Sequence, residues 1–406
     1  MSITRSVSCL LAASLFGVAL SASTPTASAA TAGCAAKAVA VGDRATYPEL
    51  ASKALVGVAS YNIKGQHAGG WTNWPARRNA IAAQIANCLP DVVGLQEASD
   101  SWVWETNSVS SARRISQYEN ATDEVNERTG ATGDLYVPAN RYRDYCSTTA
   151  EWNGRWQGQP APWRQCLTDA SKNPYDNRIL FNSRTVRLIS QGFSNLTHSS
   201  STRRTVAWAI LEQKATGRRF VVADTHLDLT VSEAYRVMQM KQARAVVAAH
   251  RVYGGVSLPT FLLGDFNVSR YTEGTTAPDV LTAAGWVDIV GNDRRVKATG
   301  TNVGWCRRRA PQAPSVPSAA NRFVNSVYNT FSNTTYSCTY PEGNSAKPRL
   351  ASSLWWQYNG IAIDYIFVSW GVRARTWETV VPAGSVNGIA KSPPSDHNMV
   401  MTWAYV

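Results

Sequence analysis

The chain has 406 residues, of which 44% are hydrophobic and 17% are charged, and its 40 Lys and Arg against 28 Asp and Glu give a formal net charge of +12. This length suits one large domain or two ordinary domains, either of which can bury a sizeable core. The apolar content excludes a mainly disordered chain, and beyond the N-terminus no run of about 18 apolar residues predicts a membrane span. The positive charge favours polyanionic partners such as nucleic acid or anionic lipid.

Residues 1–29 predict an export signal that is not part of the fold. Arg5 supplies a short positive region, and residues 7–20 are mostly apolar. Ala27-Ser28-Ala29 resembles the small-residue cleavage site of a signal peptide. We therefore expect a secreted single domain over residues 30–406. We expect a monomer with no protein partner and no stable membrane association.

Export makes the cysteines candidates for disulfide bonds, because secreted proteins fold in an oxidising compartment. Loss of Cys9 with the signal leaves six cysteines, an even number. The alternative at Cys34 is lipid attachment, but Thr31 stands where a lipoprotein signal has an aliphatic residue. The sequence contains no C-x-x-C pair, so a zinc site at these cysteines is not favoured. Sequence proximity favours the pairs Cys146–Cys166 and Cys306–Cys338, which leaves Cys34–Cys88 as the third pair.

The mature region contains short apolar runs rich in Val, Ile, Phe, Trp and Thr, which predict buried strands. These runs are 55–63, 91–97, 178–182, 205–212, 219–227, 260–267, 361–369 and 398–404. Helices are predicted at Pro75–Leu89, which opens with a proline suited to a first turn, and at Ser232–His250, which opens with a capping serine. The segments at about 100–173 and 291–360 lack this succession of predicted strands and helices, and we interpret them as insertions at the rim of one domain.

Polar side chains recur within and at the ends of the apolar runs. A carboxylate in such a segment is costly unless it binds a metal or a hydrogen-bonding partner. The residues in these positions are Asn62, Glu97, His226, Asp265, Asn267, Asp364, Asp396 and His397. Their repeated occurrence predicts one shared site.

The motifs Gln96-Glu97, Gly264-Asp265-Phe266-Asn267 and Ser395-Asp396-His397 occur in an order that resembles the endonuclease/exonuclease/phosphatase superfamily. The similarity begins at Ser60-Tyr61-Asn62 and extends over essentially the whole mature chain. It implies an α+β, deoxyribonuclease I-like fold, a four-layer α/β/β/α sandwich of two mainly antiparallel sheets flanked by helices. It also implies metal-dependent hydrolysis of a phosphate ester by water.

The resemblance also implies roles for individual residues. Glu97 is the expected principal metal ligand, with Asn62 and Asp396 completing its shell. Such an all-oxygen set suits Mg²⁺, with Mn²⁺ as a substitute. Asp265 would orient or deprotonate the attacking water, and Asn267 would hold a phosphate oxygen.

His397, with Asp364 as its carboxylate partner, and His226 form the expected acid–base set, since imidazole titrates near the working pH. The sequence does not decide which histidine is the acid.

Tyr175 and Arg178 lie at the start of the predicted strand 178–182, and we expect them to contact phosphate. The same segment departs from the deoxyribonuclease pattern, which has a glutamate at the position of Asn177 to support the histidine corresponding to His226.

These features predict a secreted metal-dependent phosphodiesterase, a nuclease that cleaves DNA or RNA. The alternatives that keep the same site are a sphingomyelinase-like phospholipid phosphodiesterase and a small-molecule phosphatase. An exposed apolar hairpin would favour the lipid, and Leu354-Trp355-Trp356 is the candidate. A non-catalytic binding module would require lost ligands, and none of the expected ligands is lost.

Overall fold

The apolar runs of the sequence form strands, and the longer amphipathic segments form helices. A computed structural model describes residues 34, 36–65, 74–99, 102–104, 114–139, 176–198, 203–268, 275–289, 323–324, 330–331, 362–369, 371–374, 376–382 and 394–406. The helices are Ala36–Thr46 (α1), Trp74–Cys88 (α2), Gln117–Thr129 (α3), Glu233–His250 (α4) and Ala277–Thr282 (α5), with a 3-10 turn at Pro48–Leu50. The strands are Leu55–Asn62 (β1), Val92–Gln96 (β2), Trp102–Trp104 (β3), Arg114–Ser116 (β4), Tyr136–Pro138 (β5), Arg178–Asn182 (β6), Val186–Leu196 (β7), Arg204–Gln213 (β8), Arg219–His226 (β9), Val252–Tyr253 (β10), Val256–Ser257 (β11), Thr260–Asp265 (β12), Val287–Asp288 (β13), Phe323–Val324 (β14), Asp364–Val368 (β15), Arg373–Ala374 (β16), Trp377–Val380 (β17) and Met399–Tyr405 (β18).

Two large sheets carry most of these strands. The eight-stranded sheet has the order β14-β17-β18-β1-β2-β6-β5, with β16 beside β18, and the six-stranded sheet has the order β13-β15-β12-β9-β8-β7. Within the described pairs, β1–β2, β9–β12 and β14–β17 are parallel. The other described pairs are antiparallel. The sheets are therefore mixed and mainly antiparallel, as expected from the sequence.

The alternation of side chains along each strand separates the apolar residues into three layers. Val58 and Val222 belong to the layer between the two sheets. Leu95 and Ile85 belong to the layer between the eight-stranded sheet and helices α2 and α3. Met240 of α4 belongs to the layer on the outer face of the six-stranded sheet. The result is the expected α/β/β/α sandwich.

The N-terminal region is attached to the sandwich by a disulfide bond. Cys34 bonds to Cys88, the last residue of α2, which confirms one of the three predicted pairs. The other four cysteines and the export signal lie outside the described residues. No described helix is long and apolar enough to cross a membrane.

Part of the segment interpreted as a rim insertion at about 100–173 lies in a helical layer. Helix α3 begins at a capping box formed by Ser116 and Glu119 and ends at Gly130, whose φ is 60°. Its Tyr118 and Val125 are buried in the same cluster as α2. From the segment 291–360, the structure describes only β14 and residues 330–331.

Candidate active site

Strands of both sheets end at one edge of the sandwich. In the eight-stranded sheet, β1 runs parallel to β2 and pairs Asn62 with Gln96. In the six-stranded sheet, β9 runs parallel to β12 and pairs His226 with Asp265, while β15 begins at Asp364 opposite Asp265. Because parallel neighbours end at the same edge, the polar residues that follow the apolar runs come together.

Asp265 lies at the centre of this cluster and is 1% exposed. Its Oδ2 accepts a hydrogen bond from Asn62 Nδ2 at 3.1 Å. The same oxygen lies 3.6 Å from His226 Nε2 and 3.6 Å from His397 Nε2. Its Oδ1 accepts a hydrogen bond from the backbone N–H of Asn267 at 2.8 Å. One carboxylate therefore separates the two imidazoles.

His397 is paired with Asp364, as the sequence predicts. Its Nδ1 lies 2.9 Å from Asp364 Oδ2, and both side chains are buried. Burial lowers the pKa of His397, but the carboxylates of Asp364, Asp265 and Asp396 outweigh it and raise this pKa to about 10. In the metal-free protein these carboxylates therefore favour the protonated imidazole, with Nδ1 donating to Asp364.

The dipeptide Thr330–Phe331 supports the Asp364–His397 pair. Thr330 Oγ1 accepts hydrogen bonds from the backbone N–H groups of Ile363 at 2.9 Å and Asp364 at 3.1 Å. The ring of Phe331 contacts the His397 imidazole edge to face, with 4.9 Å between centroids. Two residues from the segment interpreted as a rim insertion therefore lie directly against the cluster.

His226 has a different carboxylate partner from the one expected at position 177. Its Nδ1 lies 2.9 Å from Asp176 Oδ2 and 2.9 Å from Arg204 Nη1. The side chain of Asn177 instead donates to the backbone oxygen and the hydroxyl of Thr205, at 3.0 and 2.9 Å. The carboxylate that the family pattern has at position 177 is therefore supplied here by the preceding residue, Asp176, which contacts His226.

Glu97 is held in the cluster by backbone and side-chain donors. Its Oε1 accepts from Asn62 Nδ2 at 3.1 Å, and its Oε2 accepts from the Gly65 N–H at 2.8 Å. Burial raises the pKa of Glu97, but the charges of His226 and Lys64 and the Gly65 hydrogen bond lower it to about 2. The carboxylate is therefore ionised at any working pH.

Lys64 is a site residue that the sequence analysis missed. Its Nζ lies 2.8 Å from Asp396 Oδ2, and its charge also acts on Glu97. Its position two residues beyond Asn62, the last residue of β1, is the signal that could have identified it.

Arg77 of α2, also missed, connects the two loops that carry these residues. Its guanidinium donates to the carbonyl oxygens of Ile63 and Lys64 at 2.8 and 2.9 Å, and to that of Pro394 at 2.8 Å. Arg77 is 3% exposed, so these bonds are shielded from water. The loop after β1 is thereby fixed to the loop that carries Asp396 and His397.

Backbone strain concentrates at the site. Among the described residues other than glycine, φ is positive at Cys34, Lys64, Leu89, Glu97 and Asn267, and three of these belong to the site. Such conformations cost about 1–3 kcal/mol each and persist where the surroundings impose them. Gly264 has φ of 145°, and a Cβ there would lie 1.8 Å from the backbone oxygen of Thr225. This explains the glycine before Asp265.

The remaining predicted phosphate contacts differ in their placement. Asn267 is partly exposed and its Nδ2 donates to the backbone oxygen of Leu227 at 2.8 Å. Arg178 is fully buried, and its guanidinium lies 4.0 Å above the ring of Tyr118. It points towards the helices because its neighbour Ile179 points between the sheets. Arg178 is therefore not accessible to a substrate, and Tyr175 lies outside the described residues.

The donor set fits a hard divalent cation. Glu97 and Asp396 offer carboxylate oxygens and Asn62 offers an amide oxygen, and Mg²⁺ is bound in proteins by one or two carboxylates together with water. The ammonium group of Lys64 pairs with Asp396 at 2.8 Å and its charge acts on Glu97, so these carboxylates attract positive charge. Ligand atoms of Asp265, Asp364 and His397 also lie within 4.8 Å of one another, but a protonated His397 has no lone pair to offer a cation.

Comparisons with known proteins agree with this geometry. The model of the endonuclease/exonuclease/phosphatase family matches residues 59–397. No curated protein matches the sequence significantly. A solved endonuclease/exonuclease/phosphatase family protein from Bacteroides thetaiotaomicron has a TM-score of 0.51 and 16% identity, over 87% of this chain and 98% of that chain. A second, from Bacteroides vulgatus, has a TM-score of 0.50 and 17% identity, over 87% and 99%. These similarities show the shared fold.

A mannosyl-6-phosphatase from Bacteroides thetaiotaomicron is also similar, with a TM-score of 0.49 and 16% identity over 86% of this chain and 99% of that chain. The match to the family model covers every residue of the candidate site from Asn62 to His397. The chain therefore belongs to the endonuclease/exonuclease/phosphatase family and is a phosphoesterase.

Proposed function

We propose that this protein is an exported, metal-dependent phosphodiesterase that cleaves nucleic acid. The observation that carries the proposal is the position of Asp265 Oδ2, 3.6 Å from the Nε2 atoms of both His226 and His397. Each imidazole is backed by its own carboxylate, Asp176 or Asp364. Two oriented imidazoles on either side of one carboxylate are suited to an in-line displacement that needs a water activator and a proton donor.

Different residues of the site would bind the phosphate, orient the attacking water and donate a proton to the leaving oxygen. His397 is protonated because its pKa is raised to about 10 by the surrounding carboxylates, so its Nε2–H donates to a phosphate oxygen. Asp265 accepts a hydrogen bond from the attacking water and orients it. His226 donates a proton to the leaving oxygen. Asn267, partly exposed beside Asp265, holds a second phosphate oxygen.

A divalent cation held by Glu97, Asn62 and Asp396 would neutralise the negative charge that develops on the phosphate. The low pKa of Glu97, about 2, keeps this ligand ionised. Mg²⁺ is the expected ion, and Mn²⁺ would substitute for it.

The net charge of +12 suits a polyanion, either nucleic acid or anionic lipid, and the placement of the exposed apolar surface favours nucleic acid over phospholipid. The exposed apolar hairpin of the described residues, β10–β11, has Val252 and Val256 at 58% and 61% exposure. This hairpin precedes Thr260 at the start of β12, whereas the site lies at the opposite end, at Asp265. A bilayer on this hairpin would be roughly 17 Å or more from the site, at about 3.3 Å per strand residue. Leu354-Trp355-Trp356 lies outside the described residues.

The test is incubation of the mature protein with supercoiled plasmid, single-stranded RNA, phosphatidylcholine–sphingomyelin vesicles and a sugar phosphomonoester, with Mg²⁺ or chelator. We expect chelator-sensitive cleavage of the nucleic acids. Cleavage of the vesicles or monoester alone would replace our substrate assignment.

Two variants make the metal test specific. Glu97→Gln should lower turnover by more than the roughly 10–100-fold that outer-sphere changes cost at metal sites. The matched control is Glu49→Gln, which removes an exposed carboxylate that pairs with Arg373. Equal, Mg²⁺-dependent activity in both variants would refute the assignment of Glu97.

Export is tested separately by N-terminal sequencing of protein recovered from the culture medium of a bacterial host. A mature chain that begins near Ala30 supports the proposal. Retention of the full-length chain in the cells would contradict it.

A further inference from the structure

We propose that Arg77 is a positioning residue that holds the loops of the divalent-cation site in place and thereby sets the affinity of the site for its cation. The inference deepens the proposed function and rests on the cation site at Glu97, Asn62 and Asp396. The contacts that carry it are hydrogen bonds from the Arg77 side chain to backbone carbonyl oxygens.

The guanidinium of Arg77 spans two loops that are far apart in the sequence. Its Nη1 donates to the carbonyl oxygens of Ile63 and Pro394, both at 2.8 Å. Its Nη2 donates to those of Lys64 at 2.9 Å and Gly65 at 3.3 Å. One planar group therefore binds three consecutive residues after β1 and also the loop that leads to β18.

The loop after β1 acts on two of the expected ligands. The backbone N–H of Lys64 donates to Asn62 Oδ1 at 3.0 Å, and the backbone N–H of Gly65 donates to Glu97 Oε2 at 2.8 Å. A shift of this loop would therefore move both ligand side chains.

The loop before β18 carries the third expected ligand. Pro394 precedes Ser395, whose Oγ donates to the backbone oxygen of Asn62 at 2.7 Å, and Asp396 follows directly. Arg77 thus fixes the segment that carries Asp396 relative to the segment that carries Asn62.

The backbone at Lys64 shows what these bonds support. Its φ is 59°, a left-handed conformation that a side chain other than glycine adopts only where the surroundings impose it. The carbonyl oxygen of Lys64 accepts from Arg77 and also from Gln117 Nε2 of α3 at 2.8 Å. Arg77 and Gln117 are 3% and 0% exposed, so water does not compete for these bonds. Two buried donors therefore stabilise the turn between Asn62 and Gly65.

The position and the charge of Arg77 act on cation affinity in opposite directions. A positive charge near a cation site disfavours the cation, so loss of the charge alone would tighten cation binding. Loss of the position would displace the ligands, and changes to groups that orient metal ligands weaken metal binding by roughly 10–100-fold. The direction of the change in affinity therefore distinguishes the two effects.

The test is titration of the chelator-treated full chain with Mn²⁺, with the free ion measured by electron paramagnetic resonance and no substrate present. Arg77→Lys keeps the charge but loses the planar fork, and Arg77→Gln loses both. We expect each to raise the Kd for Mn²⁺ at least about tenfold. An unchanged or lower Kd in the folded variants would overturn the proposal.

Glu97→Gln separates this inference from the proposed function. If Glu97→Gln binds Mn²⁺ like the wild type, the assigned cation site is wrong and the inference fails with it. If Glu97→Gln weakens binding while both Arg77 variants bind like the wild type, only the positioning role fails.

The neighbouring arginine is the matched control. Arg78 also lies on α2 and is 7% exposed, but its Nε pairs with Glu124 of α3 at 2.9 Å. Arg78→Lys should lower the Tm, because it also loses a buried arginine fork, and should leave the Kd for Mn²⁺ unchanged. A rise in Kd equal to that of Arg77→Lys would show a general loss of packing instead of positioning.

A variant at Gln117 keeps the proposal falsifiable if neither Arg77 variant folds. Gln117→Met removes the other side-chain donor to the carbonyl oxygen of Lys64. A raised Kd for Mn²⁺ in this variant supports the proposal, and a wild-type Kd overturns it.

Discussion

Asn62 Nδ2 lies 3.1 Å from Asp265 Oδ2, and this hydrogen bond joins the last residue of β1 in one sheet to the last residue of β12 in the other. Asn62 also donates to Glu97 Oε1 at 3.1 Å. One buried amide therefore connects the expected metal ligand to the carboxylate between the two histidines. The relative position of the two sheets sets the distance between these groups.

We expect Asn62→Ala to lower both stability and turnover. The change leaves acceptors on Glu97 and Asp265 without this donor, which costs about 1–3 kcal/mol for each buried group left unsatisfied. Urea unfolding and plasmid cleavage measure the two effects. Asn195→Ala, which removes an exposed hydrogen bond with Arg203, is the matched control and should change neither quantity measurably. A fully active and stable Asn62→Ala protein would contradict this interpretation.

We expect His226→Gln and His397→Gln each to lower kcat by roughly 10²-fold or more, the usual contribution of a positioned acid or base. Steady-state cleavage of a labelled oligonucleotide measures this loss. His250→Gln is the control, because His250 lies at the end of α4 and stacks on Trp208. If either site variant retains full kcat, that histidine has no part in the mechanism.

The pH dependence of stability should reveal the protonation of His397 in metal-free protein. Its pKa in the folded protein is about 10, above the ordinary value of 6.5, so the folded state binds the proton more tightly than the unfolded state. The resulting stabilisation is fully present below pH 6.5 and is lost as the pH rises towards 10. Chemical denaturation of the wild type and of His397→Gln across this range should give a difference that shrinks with rising pH. A constant difference would refute the prediction.

Thr330→Val should disturb the Asp364–His397 pair without changing a catalytic side chain. Valine has nearly the same shape but removes the oxygen that accepts from the backbone of Ile363 and Asp364, at a cost of about 1–3 kcal/mol. We expect a lower unfolding midpoint and a lower kcat. Thr330→Ser keeps the hydroxyl and should restore most of both. Identical behaviour of the two variants would show that the hydroxyl is not needed.

Replacement of Cys34 and Cys88 by serine should destabilise the protein by about 2–4 kcal/mol, since the disulfide closes a long loop of the unfolded chain. The disulfide lies at the base of α2, away from Glu97 and the histidines, so kcat should be preserved. Guanidinium unfolding under non-reducing conditions and single-turnover cleavage test these two parts. Loss of turnover in a folded double variant would mean that α1 supports the site.

The strand ends made the site predictable from sequence. Apolar runs that end in Asn62, Glu97, His226 and Asp265 have no other common explanation than a shared edge, and the parallel pairs β1–β2 and β9–β12 place them there. The sequence also contained a capping box at Ser116, which could have predicted α3. Strand β7 was missed because much of it is only half-buried and its polar residues hide the alternation.

The supporting residues were not predictable in the same way. Asp176 and Asn177 are adjacent polar residues before β6, and only the packing against β8 shows which one faces His226. Arg178 carries a charge that suggests phosphate binding, but strand alternation turns it towards Tyr118. Arg77 and Arg204 act through contacts with segments distant in sequence, which no local pattern encodes.

The pairing of β1 with β18 also affects how the protein folds. Residues 55–60 lie beside residues 400–405, so a strand inside the larger sheet acquires one neighbour from the far end of the chain. Contacts of such long sequence separation require the closure of a large loop and slow the folding of a domain. Because His397 lies two residues before β18, the candidate site cannot assemble before this closure. In a refolding experiment, the return of enzymatic activity should coincide with the final cooperative step rather than with the early formation of helices.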